Sequence, residues 1–355
     1  MPSRKLRVLV VDDAVVVRKI VADVLSADPD IEIAGTAPNG RIALQKITQV
    51  NPDVVTLDVE MPEMDGIATL KALRQTHKQL PVIMFSTLTE RGANATIDAL
   101  VAGASDYVTK PANVGSVGMA QQRVRDELIP KIKSLCRIAV RDHAATPPAE
   151  RASGHAAADA GAVDVVAIGV STGGPNALAG ILPQLPKGFP VPIVLVQHMP
   201  PMFTRFLADR LNTESALHVQ EAVAGDELMP GHVYIAPGDH HLMVQRNGRR
   251  IVTAINQQPP ENSCRPAVDV LFRSVANVYG ASALAVILTG MGQDGLLGCG
   301  AIKQRGGSVI VQDEATSVVW GMPGFVARAG LADCVLPLPS IADEIMKRTA
   351  VQPCH

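Results

Sequence analysis

Two groups of polar residues in this chain have types and positions suited to chemistry. In the first, Asp12 and Asp13 follow the apolar run LRVLVV, Asp58 closes DVVTLD, Ser86 closes PVIMFS and Lys110 closes SDYVTK. Three carboxylates drawn together repel one another. A hard divalent cation such as Mg2+, which takes one or two carboxylates plus water and phosphate oxygens, is the simplest neutraliser. A lysine and a hydroxyl nearby could then hold a phosphoryl group. In the second group, AIGVSTGGP (167–175) satisfies G-x-S-x-G, where glycines allow a strained strand-to-helix turn that lifts the Ser171 hydroxyl above a sheet. An ordinary turn that needs glycine would read the same way. His198 in QHMPP and Asp294 in MGQDG also follow apolar runs, VPIVLVQ and ALAVILTG.

The elements that must position these residues are legible as alternation. Short β-rich runs at 6–11, 31–36, 53–58, 81–86 and 105–110 are separated by stretches with helical spacing, such as VVVRKIVADVL (15–25) and ATIDALVAG (95–103). Such alternation predicts a parallel sheet with helices on both faces, and in such sheets ligands sit at the carboxyl ends of the strands. Any one of these aspartates could merely cap a helix. Four polar positions at one sheet edge argue for more than capping. After residue 161, AVDVVAIGV, VPIVLVQ, HVYIAPG and ALAVILTG predict a second α/β domain, with Ser171, His198 and Asp294 again at or just beyond strand ends. No G-x-x-x-x-G-K-[ST] phosphate loop occurs, and Gly169, Gly173 and Gly174 do not make G-x-G-x-x-G.

Composition bounds the rest. A chain of 355 residues exceeds the size at which one core keeps growing, so two domains are expected. A net charge of −2 offers no basic field for nucleic acid, and 3% aromatic residues leave few platforms for stacking bases. The cysteines at 136, 264, 299, 334 and 354 are scattered without C-x-x-C spacing, which argues against disulfides and zinc. The apolar run after MPSRK is too short for a secretory signal and no stretch of about 18 apolar residues occurs, so a cytoplasmic protein without membrane insertion is expected. RIAVRDHAATPPAERASGHAAADAG (137–161) lacks an apolar period and is expected to be a flexible linker. The expected division is residues 1–125, a helix end and linker over 126–161, and a second domain over 162–350. A monomer is the default.

VVDD, LDVEMPEMDG (57–66), STLTE and DYVTKP together resemble the receiver domain of bacterial response regulators across about residues 5–125. The resemblance implies a doubly wound, flavodoxin-like fold in which Asp58 accepts a phosphoryl group from a histidine kinase. It also implies that Asp12, Asp13, Asp58 and the backbone carbonyl of Glu60 hold Mg2+, that Lys110 contacts the phosphate, and that Ser86, with Thr87 as an adjacent rival, switches together with Tyr107.

Beyond the linker, IGVSTGGP, QHMP, YIAPGDHHL, RPAVDVLF, TGMGQDG and WGMPG resemble the chemotaxis protein-glutamate methylesterase family, in that family's order. This resemblance implies an α/β catalytic domain with a mainly parallel sheet that needs no cofactor. It would hydrolyse glutamyl methyl esters on methyl-accepting chemotaxis receptors and deamidate receptor glutamines. Ser171 would be the nucleophile, His198 the general acid and base, and Asp294 the group orienting the imidazole. Amides near Thr172, Gly173 and Met291 are the candidate oxyanion donors. Phosphorylation of the receiver, supplied by a chemotaxis histidine kinase, would relieve restraint on the catalytic domain.

Two rivals remain at this level. An inactive esterase-like domain behind a receiver would be a binding module, and a receiver with a DNA-binding output would regulate transcription. The complete Ser171, His198 and Asp294 set argues against the first, and the absence of a basic helical output against the second. His240 and His241 are adjacent, so on a strand they point apart and make a poor metal pair. Asp313 and Glu314 read as cleft architecture, and Trp320, the only tryptophan, as core.

Overall fold

In the strand Val54–Asp58 all five residues are buried, which is what a parallel sheet covered by helices on both faces requires. The computed structural model describes residues 4–110, 117–141 and 162–350. The chain divides into two compact units at 148/149.

The first unit runs β1 (Leu6–Val11), α1 (Val15–Ser26), β2 (Ile31–Ala37), α2 (Gly40–Val50), β3 (Val54–Asp58), α3 (Gly66–Thr76), β4 (Val82–Ser86), α4 (Glu90–Val101), β5 (Asp106–Thr109) and α5 (Val117–Arg141). Its strands pair in parallel in the order β2-β1-β3-β4-β5. The chain therefore winds one way from β1 to β2 and the other way from β3 onward. That reversal opens a crevice at the carboxyl ends of β1 and β3, where Asp12, Asp13 and Asp58 lie. All five strands fall within one residue of the sequence expectation at either end. Helix α4 starts earlier than the apolar pattern suggested, because Thr89 caps it, accepting a hydrogen bond from the Gly92 amide at 3.0 Å. Helix α5 continues to Arg141, so residues 137–141 are helical rather than linker. RIAVR is made of adequate helix formers, and an existing helix extends into them without a new nucleus. The remainder of the expected linker, 142–161, lies outside the described residues.

The second unit runs β6 (Val165–Val170), α6 (Gly174–Ile181), β7 (Ile193–Gln197), α7 (Phe203–Glu214), β8 (His218–Glu221), β9 (His232–Ile235), β10 (His241–Asn247), β11 (Arg250–Asn256), α8 (Val268–Tyr279), β12 (Ala283–Ile287), α9 (Leu296–Gln304), β13 (Ser308–Gln312), α10 (Met322–Arg328), β14 (Cys334–Leu336) and α11 (Leu338–Thr349). Seven strands form a parallel sheet in the order β14-β13-β12-β6-β7-β9-β8, and β10 and β11 form a separate antiparallel hairpin. Strand β6 is the central starting point, with β7 on one side and β12 on the other. Leu271, Phe272 and Val275 of α8 bury against Val165, Ala167, Ala285 and Ile287 in one cluster. Each such large side chain contributes about 1.5–3 kcal/mol. This packing holds the start of α8 beside the exit of β12. Among the described residues no helix is long and apolar enough to cross a membrane.

Gly173 makes the β6–α6 turn possible. Its φ is +78°, and a Cβ there would lie 2.6 Å from Val318 Cβ. Gly173→Ala is expected to destabilise the second unit by roughly 1–3 kcal/mol. Adding Val318→Ala should recover the overpacking share and leave the backbone share, as read by thermal unfolding of single and double variants.

Candidate active site

In the first unit, Lys110 Nζ lies 2.6 Å from Asp58 Oδ2 and 2.9 Å from Asp12 Oδ2, so one ammonium serves two buried carboxylates. Asp58 Oδ1 accepts the Glu60 amide at 3.2 Å, and Asp12 Oδ1 accepts the Ala14 amide at 2.9 Å. Burial pushes the Asp58 carboxyl up to about 6, the Asp12 charge adds to the rise, and Lys110 only partly offsets them. Lys110 goes the other way: burial pulls it down, but Asp58 and Asp12 raise it on balance.

Carboxylate oxygens of Asp12, Asp13 and Asp58 lie within 4.8 Å of one another, with Asp13 exposed. This hard-oxygen donor set, underneutralised by one lysine and open to water on the Asp13 side, fits a Mg2+ ion.

Ser86 is fully buried, and its hydroxyl donates to Gly92 O at 3.1 Å and Thr87 O at 3.2 Å. Thr87 Oγ1 pairs with Thr89 Oγ1 at 3.1 Å. Neither hydroxyl bonds the Asp58–Lys110 pair among the described residues. The connection runs through the backbone, where Lys110 N donates to Ser86 O at 2.6 Å. Tyr107 is buried, with Lys131 Nζ 5.1 Å from its ring centre, and burial pushes its phenol far up. The Glu60 carboxylate reaches outward to Arg91 at 3.4 Å.

In the second unit, Ser171, His198 and Asp294 follow the adjacent strands β6, β7 and β12. The Ser171 amide donates to Thr289 O at 3.0 Å, and its carbonyl accepts Gly174 N at 2.8 Å and Gln197 Nε2 at 3.0 Å. Gly290 allows the approach, since a Cβ there would lie 2.8 Å from Ser171 Cβ. The His198 amide donates to Val170 O at 3.2 Å, tying β7's exit to β6. His198 Nε2 meets Asp294 Oδ2 at 2.8 Å.

Asp294 is buried and accepts four further hydrogen bonds: Val268 N at 2.6 Å, Asp269 N at 3.0 Å, Gly295 N at 3.0 Å and Asn262 Nδ2 at 2.9 Å. The Val268 and Asp269 amides belong to the first turn of α8, whose dipole favours an anion. Burial pushes the Asp294 carboxyl up, but His198 and the two amides outweigh it and hold it below the ordinary aspartate value. Burial also pulls His198 down, and Asp294 together with the Cys264 sulfur more than reverses that, to about 10.

Sequence reasoning missed Asn262, the α8 amides and Cys264. Asn262 also bonds Asp269 Oδ2 at 2.9 Å and so braces both acids. Cys264 Sγ lies 3.6 Å from His198 Nδ1. Both imidazole nitrogens therefore have partners in this structure, and neither partner is Ser171. Thr172 and Gly173 lie in the turn that leads into α6, and Met291, 36% exposed, lies in the loop after β12. The neighbouring histidines diverge as expected: His240 Nδ1 meets Gly238 O at 3.1 Å, and His241 Nε2 meets Pro259 O at 3.1 Å. Asp313 Oδ1 accepts from Thr316 N at 3.0 Å and Oγ1 at 2.6 Å, holding a turn. Trp320 Nε1 donates to Gln312 O at 2.9 Å.

Fold and site together define a response-regulator receiver domain joined to an α/β domain of hydrolase type. Residues 8–118 match the response regulator receiver domain and residues 166–345 the CheB methylesterase domain. A Trichodesmium erythraeum protein named protein-glutamate methylesterase/protein-glutamine glutaminase is 54% identical over 348 residues, spanning 97% of this chain and 99% of that protein. A Nocardioides protein of the same name is 57% identical over 353 residues, spanning 98% and 96%. The crystal structure of the Thermotoga maritima CheB methylesterase catalytic domain matches at 47% identity with a TM-score of 0.52, covering 52% of this chain and 98% of that one. The chain belongs to the CheB methylesterase family.

The raised Asp58 pKa has a stability consequence. A carboxyl favoured in its protonated form by the fold costs stability once pH exceeds its unfolded value of 3.8, and the cost is complete above about 6. In metal-free buffer, Asp58→Asn should therefore raise the thermal stability of the first unit at pH 7, by at most about 3 kcal/mol. The difference should vanish below pH 3.8. Melting curves across that range, with a chelator present, check both the sign and the window.

Proposed function

We propose that this chain is a phosphorylation-activated methylesterase acting on glutamyl methyl esters of methyl-accepting chemotaxis receptors, with glutamine deamidation by the same route. The observation that carries the reading is the His198–Asp294 bridge at 2.8 Å, beside Ser171 at the carboxyl end of a parallel sheet. Asp294 claims Nε2, which leaves Nδ1 as the nitrogen able to take the Ser171 proton. That serine–imidazole bond forms with substrate, as catalytic contacts often do.

Ser171 Oγ attacks the side-chain carbonyl carbon while His198 accepts its proton, and the C–O bond that forms gives a tetrahedral oxyanion. Amides of Thr172, Gly173 and Met291 are the candidate donors to that oxyanion, and losing one such donor costs roughly 3 kcal/mol. Collapse breaks the bond to methoxide, which leaves as methanol with the proton from His198. Water then hydrolyses the acyl-enzyme by the same steps. A glutamine side chain would lose ammonia instead.

In the receiver, Asp58 is the proposed phosphoryl acceptor, its carboxylate oxygen bonding phosphorus as the phosphorus–nitrogen bond of a kinase phosphohistidine breaks. Asp12, Asp13, Asp58 and the Glu60 carbonyl would hold Mg2+, which supplies charge neutralisation there. Lys110, already between Asp58 and Asp12, would turn to the new phosphoryl oxygens. Ser86 and Tyr107 would respond through the backbone link between Ser86 and Lys110.

Methanol release from methyl-labelled receptor membranes tests the reading. Ser171→Ala should lower release by about 10⁴–10⁶-fold, and Asp58→Asn should keep the basal rate but lose stimulation by a small phosphodonor. Undiminished release from Ser171→Ala would overturn the nucleophile assignment, and full stimulation of Asp58→Asn the phosphorylation site.

The raised His198 pKa sets a pH profile. A base must be unprotonated, so the acid limb of kcat/KM should lie above the ordinary histidine range near 6.5. Asp294→Asn should move that limb down toward 6.5 while cutting the maximal rate about 10⁴-fold. An unmoved limb in Asp294→Asn would separate the titrating group from His198.

A further inference from the structure

Cys264 has no part in the serine chemistry, yet it sits against the imidazole nitrogen that chemistry needs. Its Sγ is 3.6 Å from His198 Nδ1, while Nε2 on the far side of the ring is held by Asp294 at 2.8 Å. Ligand atoms from His198, Cys264 and Asp294 all lie within 4.8 Å of one another, and the histidine and cysteine are only partly covered.

These distances match a soft-metal site. With a Zn–S bond near 2.3 Å and a Zn–N bond near 2.05 Å, a tetrahedral angle places sulfur and nitrogen about 3.5 Å apart. The Cys264–His198 pair is already at that separation. A metal-bound imidazole normally gives its other N–H to a carboxylate, which fixes the ring and raises its basicity. Asp294, braced by Asn262 and the α8 amides, is built in that outer position.

We propose that His198 Nδ1 and Cys264 Sγ form a binding site for Zn2+, with Asp294 as the outer partner of the imidazole and water completing the shell. Binding forms Zn–S and Zn–N bonds and sends the thiol proton, and any proton on Nδ1, to solvent. The same nitrogen cannot bind zinc and take the serine proton. Zinc is therefore an inhibitor of the esterase here, whereas Mg2+, which disfavours thiolate, has no purchase on this site. The inhibition depends on the function proposed above; the binding does not.

The full-length chain should be titrated with Zn2+ in two assays, receptor demethylation and metal binding, the latter using Co2+ as a spectroscopic stand-in. Each variant is compared with its own metal-free rate. Wild type should lose activity on addition of Zn2+ and regain it with a chelator. One equivalent of Co2+ should give a thiolate-to-metal charge-transfer band. In Cys264→Ala the band should disappear and the half-inhibiting Zn2+ concentration rise by about tenfold or more. In Cys264→Ser the band should disappear as well, since the sulfur supplies it.

Equal zinc sensitivity of wild type and Cys264→Ala would overturn the site, as would the absence of a thiolate band at saturating Co2+. If the chain shows no esterase activity at all, the Co2+ spectrum still decides the site by itself. A failed function and a failed metal site thus give different results.

Discussion

A charged carboxylate buried under a sheet is tolerable only where donors replace the water it has lost, and much of the second unit is arranged to do that for Asp294. The acid sits in the loop after β12, and its donors come from the start of α8, the Asn262 loop, the Gly295 amide and His198. An uncompensated buried charge costs several kcal/mol, so these segments are coupled through one side chain. The packing of Leu271, Phe272 and Val275 acquires its importance here, because it aims the α8 amides. Asp269, fixed by the Gly298 amide at 2.6 Å and by Asn262, adds a second acid to the same bracing.

The two units solve the same positional problem in the same way. Each is a parallel sheet whose chain order reverses beside its first strand, and each gathers a buried acid and its partners at the crevice this creates. They differ in how charge is balanced. The receiver leaves Asp12 and Asp58 sharing one lysine, a site short of positive charge and suited to a cation. The second unit surrounds one acid with donors until it stays ionised, a site suited to orienting an imidazole and to stabilising the positive charge it gains on taking up a proton.

The strands and strand-end residues were legible in the sequence because buried parallel strands are unbroken runs of β-branched and aliphatic residues. LRVLVV and VVAIGV have no polar residue on the sheet's inner face to obscure them except Arg7, which is at the half-buried end of β1. Strands β8 and β14 were not placed, since HVQE and CVL are short edge strands of mixed exposure, and β13 was not placed either, although SVIVQ is a mostly buried run. The β10–β11 hairpin was also missed, its mixed residues, HLMVQRN and RIVTAIN, being as exposed as they are buried. Ser171, His198 and Asp294 stand out in the sequence because each follows such a run. The groups that brace them were not, because a backbone amide has no sequence signature. Asn262 reaches Asp294 across 32 residues of chain and Cys264 reaches His198 across 66, distances that only the folded sheet closes. Cysteine spacing gave no sign of Cys264 beside His198 for the same reason: a pair made of one cysteine and one distant histidine leaves no spacing to read.

The strand order also dictates a timetable. Ser171 leaves the central strand, His198 belongs to the wing that grows toward β8, and Asp294 to the wing that grows toward β14. During synthesis the hydroxyl and the imidazole emerge first, while the carboxylate and the α8 amides follow only after the hairpin. A chain that ends after the first wing holds Ser171 and His198 but lacks Asp294 and the α8 amides. The His198–Asp294 contact therefore has to wait for the second wing, because its two partners follow strands on opposite sides of β6.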